Sequence, residues 1–188
     1  MPQTVIYALW VVWIVSWQLA ARKSDPTIKK PGASRETPYR VVTLLGAAAL
    51  IARPASYNPQ VVALGAGAWL AWTLAGVAAL GFAFTWWARV HLGRLWSATV
   101  TRKADHHVVN TGPYAIVRHP IYTGILIAML ATALLRGTAA ALVGVALLLV
   151  GFYLKARLEE SFLRSELGEE AYSAYARRVP MLIPFAPA

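Results

Sequence analysis

The chain runs in long apolar blocks separated by shorter polar and basic ones. Thr4 to Ala21 is apolar apart from Ser16 and Gln18, close to the roughly 20 residues that cross a bilayer core. It lacks a basic start, ends on Arg22-Lys23 and carries Trp10, Trp13 and Trp17, so it is read as a retained transmembrane helix and not as a cleaved leader. Val41 to Ala52, between Pro38 and Arg53-Pro54, is short for a span and needs snorkelling flanks or local thinning. Val61 to Ala88 is uncharged and long enough for a tilted helix, leaving the membrane at Trp86, Trp87 and Arg89, where aromatic residues suit the interface. Ile121 to Leu135 and Ala139 to Tyr153 are split by Arg136-Gly137-Thr138, which reads as a tight helical hairpin. Each is about 15 residues, or about 22 Å, against a core of about 30 Å. The second continues in helical pattern from Leu154 to Leu167 until Gly168 offers a stop.

Composition turns these blocks into a fold class. Hydrophobic residues make up 58% and charged residues 14%, far from the balance of a soluble domain. The expected architecture is all-α: an integral membrane bundle of about five transmembrane helices with a cytoplasmic C-terminal helical extension. Residues 1–188 are read as one domain, 1–88 giving three N-terminal helices and 89–188 the half that carries the chemically dense stretches. The segments 22–40, 89–118 and the tail from 155 hold 16 of the 18 basic residues, leaving Arg53 and Arg136 for the opposite side. By the positive-inside rule the N-terminus is then outside and the C-terminus cytoplasmic. The net charge of +10 lies along membrane edges with no nucleic-acid motif beside it, so anionic lipid headgroups are the expected partner, at about 1 kcal/mol per well-placed basic residue. The chain has no cysteine, which removes disulfide and thiolate chemistry.

Chemically dense residues gather between Asp105 and Gly124, which contain His106, His107 and His119, three of the four histidines. They lack a cysteine partner or an HExxH spacing, so no metal site is assigned. Arg118-His119-Pro120-Ile121-Tyr122 reads as a helix start, proline being favoured where its missing N–H would be unpaired anyway. Such a start exposes backbone N–H groups and a positive dipole end to a carboxylate or phosphate, and Gly112 and Gly124 would let backbone approach a ligand. The plain alternative is a helix cap with an interfacial tyrosine. A second stretch, Lys155 to Leu163, carries Glu159 and Glu160. It is either a solvated helical extension with i,i+4 ion pairs or the acidic wall of a pocket. A ligand with a carboxylate, an ammonium and a sulfonium, S-adenosyl-L-methionine, would suit a helix N-terminus on one side and an acid on the other.

These residues carry a resemblance. His106, Val108-Val109, Gly112-Pro113-Tyr114 and Arg118 to Gly124, followed by Glu159-Glu160, Leu163, Gly168-Glu169-Glu170, Tyr172, Tyr175, Arg178-Val179-Pro180 and Pro184-Phe185, resemble in order the two motifs of the isoprenylcysteine carboxyl methyltransferase family. The resemblance covers roughly residues 95–185. Asn110-Thr111 and an extra Ala171 depart from it. It implies a membrane S-adenosylmethionine-dependent methyltransferase whose cofactor site lies at the cytoplasmic ends of the last two membrane helices, closed by the C-terminal segment. Carried over, His106, Val109, Gly112, Tyr114, His119, Tyr122 and Gly124 would line the cofactor site, with Glu159 and Glu160 supplying the acid. Arg118 and Arg178 are the candidates for an anionic substrate group, and Tyr114 or a histidine for a base if the acceptor needs one. The substrate is expected to be lipophilic or prenylated, an isoprenylcysteine-type carboxylate first, a small thiol or amine lipid otherwise. The small size resembles prokaryotic members and implies an inner membrane. Two other classes compete: a nicotinamide-dependent reductase of sterol-reductase type and a non-catalytic lipid-binding protein. No obligate protein partner is indicated.

Overall fold

The computed structural model describes residues 1–22, 31–52, 59–97, 100 and 108–187. Its elements are α1 (Pro2–Ala21), α2 (Ala33–Ile51), α3 (Pro59–Leu92), α4 (Pro120–Arg136), α5 (Ala139–Leu167) and α6 (Glu169–Ala176), with 3-10 turns at Gly93–Leu95 and Gly112–Ala115. Among the described residues there is no strand, so the all-helical expectation holds. The helix α2 begins at Ala33, well before Val41, and carries Pro38 inside. In α3, Gly67 breaks the helical path (φ 69, ψ 150).

Among the described residues, three helical segments, Pro2–Ala21, Gly67–Leu95 and Ala139–Glu166, are long and apolar enough to cross a membrane, while Pro120–Arg136 is a shorter apolar helix. The first turns of α2 contain Arg35, Glu36 and Arg40, which confine its apolar part to the second half. Exposed Val11, Val12, Val15, Leu44, Leu80, Leu130, Leu134, Val143 and Leu149 form an apolar exterior that a water-facing surface would not tolerate. The chain is a membrane protein.

Close helix crossings hold the bundle together. A Cβ on Gly81 would lie 2.7 Å from the Gly124 carbonyl oxygen, and one on Gly124 would lie 2.6 Å from that of Gly81. A Cβ on Gly144 would likewise fall 2.7 Å from the oxygen of Gly46. Lipid gives helices no hydrophobic reason to associate, so close van der Waals approach through small residues supplies the attraction. These contacts make α3 antiparallel to α4 and α2 antiparallel to α5. The helix α1 lies parallel to α3: Trp13 Nε1 donates to Thr85 Oγ1 at 2.7 Å, and Trp10 Nε1 donates to Thr132 Oγ1 on α4 at 3.0 Å. The five long helices therefore alternate in direction.

The expected α4–α5 hairpin is present. Gly137 closes α4 in the left-handed conformation (φ 61), which glycine adopts without a Cβ penalty, and Thr138 caps α5, accepting from Ala141 N. Beside it Arg136 is buried and donates to Tyr7 Oη at 3.1 Å and to the carbonyls of Ile51 and Ala52 at 3.3 and 2.7 Å. It thereby ties the start of α1 and the end of α2 to the hairpin. The helix α5 runs on to Leu167 and stops at Gly168, as its pattern indicates.

Candidate active site

At the opposite end of the bundle the C-terminal segment folds back over the start of α4. Arg118 N donates to the Pro180 carbonyl at 2.8 Å and His119 N to that of Met181 at 3.1 Å. Thr123 Oγ1 reaches the Leu182 carbonyl at 2.6 Å. The Arg118 guanidinium completes this latch. Its Nε meets Glu160 Oε1 at 2.7 Å, its Nη2 meets Glu160 Oε2 at 3.4 Å, and its Nη1 donates to the carbonyls of Ala176 and Val179. Both charged side chains are buried, so each depends on the other to offset the cost of desolvation.

Glu160 Oε1 also accepts from His119 Nε2 at 3.1 Å. The carboxylate can only accept, so the proton sits on Nε2, and Nδ1 is left 3.8 Å from Glu159 Oε2. Glu159 in turn accepts from Tyr122 Oη at 2.7 Å. The Tyr122 ring stacks with His119 (centroids 5.3 Å, 3° between planes) and with Phe152 (5.2 Å, 12°). A layer of fixed rings thus carries the Glu159 carboxylate.

That layer faces a cavity of about 480 Å³. Its walls are Trp17, Gln18 and Ala21 from α1, the turn at Leu95 and Trp96, Val109, Tyr114, the first turn of α4, and the stripe Phe152, Lys155, Glu159 and Leu163 of α5. Tyr172 and Tyr175 close it from α6. Burial foremost, and then the nearby Glu159 carboxylate, push the Tyr114 phenol well above its ordinary range. Burial first also raises Tyr172 and Tyr175. These phenols stay protonated at neutral pH, so Tyr114 offers a hydrogen-bond donor and not a base.

The structure brings together Val109, Tyr114, His119, Tyr122 and Glu159 on the cavity wall. The others of the expected set fall elsewhere. Gly112 (φ 57) packs against His91, whose Cε1 would lie 2.7 Å from a Cβ there, and Gly124 serves the crossing with α3. Glu160 is behind the wall, consumed by Arg118 and His119. Arg118 borders the cavity, but its donors are committed to the latch, so it holds the segment in place and does not reach toward a ligand. Arg178 is exposed and donates to the Ala174 carbonyl at 3.2 Å, away from the cavity. His106 lies outside the described residues. Lys155, Trp17 and Trp96 were not expected. Lys155 falls at i−4 from Glu159, a spacing that places both on one helix face, but its pairing with Glu159 also reads as a surface ion pair. Trp17 reaches the cavity from α1 and Trp96 from the turn after α3, and their rings meet edge-on at 5.5 Å.

Fold and site define an all-helical membrane protein with a cavity at one end of its bundle, walled by an acid, a helix N-terminus and aromatic rings. Residues 69–165, just over half the chain, match the isoprenylcysteine carboxyl methyltransferase (ICMT) family, and the chain belongs to that family. It is similar to the protein-S-isoprenylcysteine O-methyltransferase of Schizosaccharomyces pombe, 37% identical over 103 residues, or 53% of this chain and 43% of that protein. It is 33% identical over 95 residues to a cobalt-zinc-cadmium resistance protein of Cupriavidus metallidurans, covering 50% of this chain and 43% of that one. Protein-S-isoprenylcysteine O-methyltransferase B of Arabidopsis thaliana is 32% identical over 87 residues, 46% and 44% of the two chains. The chain spans less than half the length of each of these relatives.

Proposed function

We propose that the protein is an S-adenosylmethionine-dependent membrane methyltransferase whose acceptor is a lipophilic carboxylate of the isoprenylcysteine type. The observation that carries this reading is the pair Glu159 and Lys155, one turn apart on the cavity face of α5 and opposite the start of α4. Four residues of helix separate them by about 6 Å along the axis, so the cavity offers an acidic position with a basic one deeper in the bundle. The names of the S. pombe and A. thaliana relatives support the acceptor class.

The residues present fit the cofactor. The carboxylate of Glu159 suits its cationic groups, and the N–H groups of Ile121 and Tyr122, in the first turn behind Pro120, have no intrahelical acceptor and suit its carboxylate. When bound, S-adenosylmethionine supplies a methyl group already activated by a sulfonium. Lys155 lies on the side of Phe152 and Ile125, where an apolar acceptor enters from the membrane, and its ammonium holds the acceptor's carboxylate. An ionised carboxylate brings its own lone pair, so no side chain has to remove a proton, in keeping with the protonated state of Tyr114. What remains for the protein is alignment and the exclusion of water. The reading takes residues 1–188 as one domain and all five long helices as crossing the membrane, N-terminus outside and cavity cytoplasmic. The alternating helix directions and the clustering of basic residues at the cavity end support that orientation.

Binding of the demethylated cofactor, S-adenosylhomocysteine, to the detergent-purified protein tests the reading. Glu159→Gln keeps the Tyr122 contact but loses the charge, and should weaken binding by about tenfold or more, the scale of one charge-assisted hydrogen bond, at unchanged thermal stability. Saturable binding of a reduced nicotinamide, with none of S-adenosylhomocysteine, would refute it in favour of a reductase.

A further inference from the structure

We infer that Tyr39, on α2 and outside the residues that match the family, is a positioning residue for the acceptor's anionic group, acting through Lys155. This rests on the reading of Lys155 given above. The Lys155 Nζ lies 5.1 Å from the centroid of the Tyr122 ring and 5.9 Å from that of Tyr39, both within the distance at which an ammonium is attracted to a ring face. Tyr122 belongs to the cavity wall, and Tyr39 comes from a different helix. The cation is therefore held by two aromatic faces, one facing the ligand and one built into the packing of α2 against α5.

Tyr39 is itself well fixed. It is buried and sits between Glu36, also buried, and the Arg40 that pairs with it. One turn further on, α2 is pressed onto α5 at Thr43, whose Oγ1 leaves no room for a Cβ on Gly151. Lysine is a point charge on a flexible four-carbon stem, and ordering such a side chain when a ligand arrives costs affinity. Clamping the ammonium beforehand removes that cost. With Arg118 committed to the latch and Arg178 outside the cavity, Lys155 is the cation so placed on the described cavity wall, and α2 decides where its charge sits.

The test compares an S-prenylated cysteine carboxylate with its carboxamide, binding being followed by quenching of tryptophan fluorescence in the S-adenosylhomocysteine-loaded protein, since Trp17 and Trp96 line the cavity. The unaltered protein should prefer the acid, and Lys155→Met should abolish the preference. Tyr39→Leu keeps a buried apolar side chain on α2 but removes the ring, and should cut the preference about threefold to tenfold, the range set by one cation–π contact. Tyr39→Phe should rescue it, while a ring-fluorinated phenylalanine at position 39, nearly the same size with a weakened π face, should reduce it without disturbing the fold. In the Lys155→Met background, Tyr39→Leu should have no further effect. An intact preference in Tyr39→Leu or in the fluorinated variant, with Lys155→Met defective, overturns the role of Tyr39 and leaves the reading of Lys155 standing. An intact preference in Lys155→Met overturns both.

Discussion

The two ends of the α4–α5 hairpin each bury an arginine, and they differ in what surrounds it. At the turn, Arg136 donates to two carbonyls at the end of α2 and to the Tyr7 hydroxyl. At the other end Arg118 does the same work for the C-terminal segment, with Glu160 as counter-ion. Both are staples, since a buried guanidinium must satisfy its donors and does so on carbonyls that the helix ends leave open. Among the described residues, only the second staple is backed by a further row of polar groups, Tyr122, Lys155 and Glu159, turned toward a cavity. A buried charge is therefore not in itself the mark of a site; a row of polar groups on a cavity wall is.

Disrupting the Arg118 staple should give the largest effect. Glu160→Gln leaves the Arg118 guanidinium buried without its counter-ion, at a cost of about 3–5 kcal/mol; Arg118→Ala leaves Glu160 with His119 and with Arg164 at 3.7 Å and costs less. The expected signs are a fall in the midpoint of thermal unfolding in detergent and faster proteolysis of residues 169–187. Arg118→Lys should not restore stability, because the three donors of an ammonium sit at one point and cannot span the four contacts that the three guanidinium nitrogens make. Arg136→Ala comes next, at about 1.5–3 kcal/mol for hydrogen bonds from a charged group, with S-adenosylhomocysteine affinity unchanged. If it abolished cofactor binding in protein that is still folded, the distinction between the two ends would fail.

The smallest effect concerns alkaline pH. The buried phenols of Tyr114, Tyr172 and Tyr175 are raised in the folded state, so their contribution is complete below the ordinary phenol value of about 10 and is lost as pH rises above it. At pH 10 each should lower stability by about 0.4 kcal/mol, the free energy of half-ionising the unfolded phenol. Unfolding followed by tyrosinate absorbance should show stability level between about pH 7 and 9 and falling beyond. Tyr172→Phe should flatten the decline, and an unchanged slope in that variant would remove Tyr172 from this account.

Adjacent residues show how far the sequence reaches. Glu159 and Glu160 stand next to each other, and their spacing on a helix puts them about 100° apart, so only one can face the cavity. Nothing within the helix says which, because the answer depends on Arg118, 42 positions away. Gly124 was legible as a place where backbone approaches something closely, but what it meets is Gly81 on α3, not a ligand. Arg118 and Arg178 were expected to meet a substrate anion on the strength of their charge. The first is used up by the fold and the second points away from it.

By itself the sequence determined the elements and their environment. Long apolar runs that must satisfy every backbone group in lipid become helices, proline opens α4, Gly137 and Gly168 end α4 and α5, and the basic residues collect at one end. These are local or summed properties, and local energetics sets them. The tertiary structure alone decided which polar side chains go into the latch and which line the cavity. That choice depends on groups far apart in the chain, Arg118 with the Val179 carbonyl, Trp17 with Trp96, Tyr39 with Lys155, meeting only after the glycine crossings have fixed how closely the helices approach.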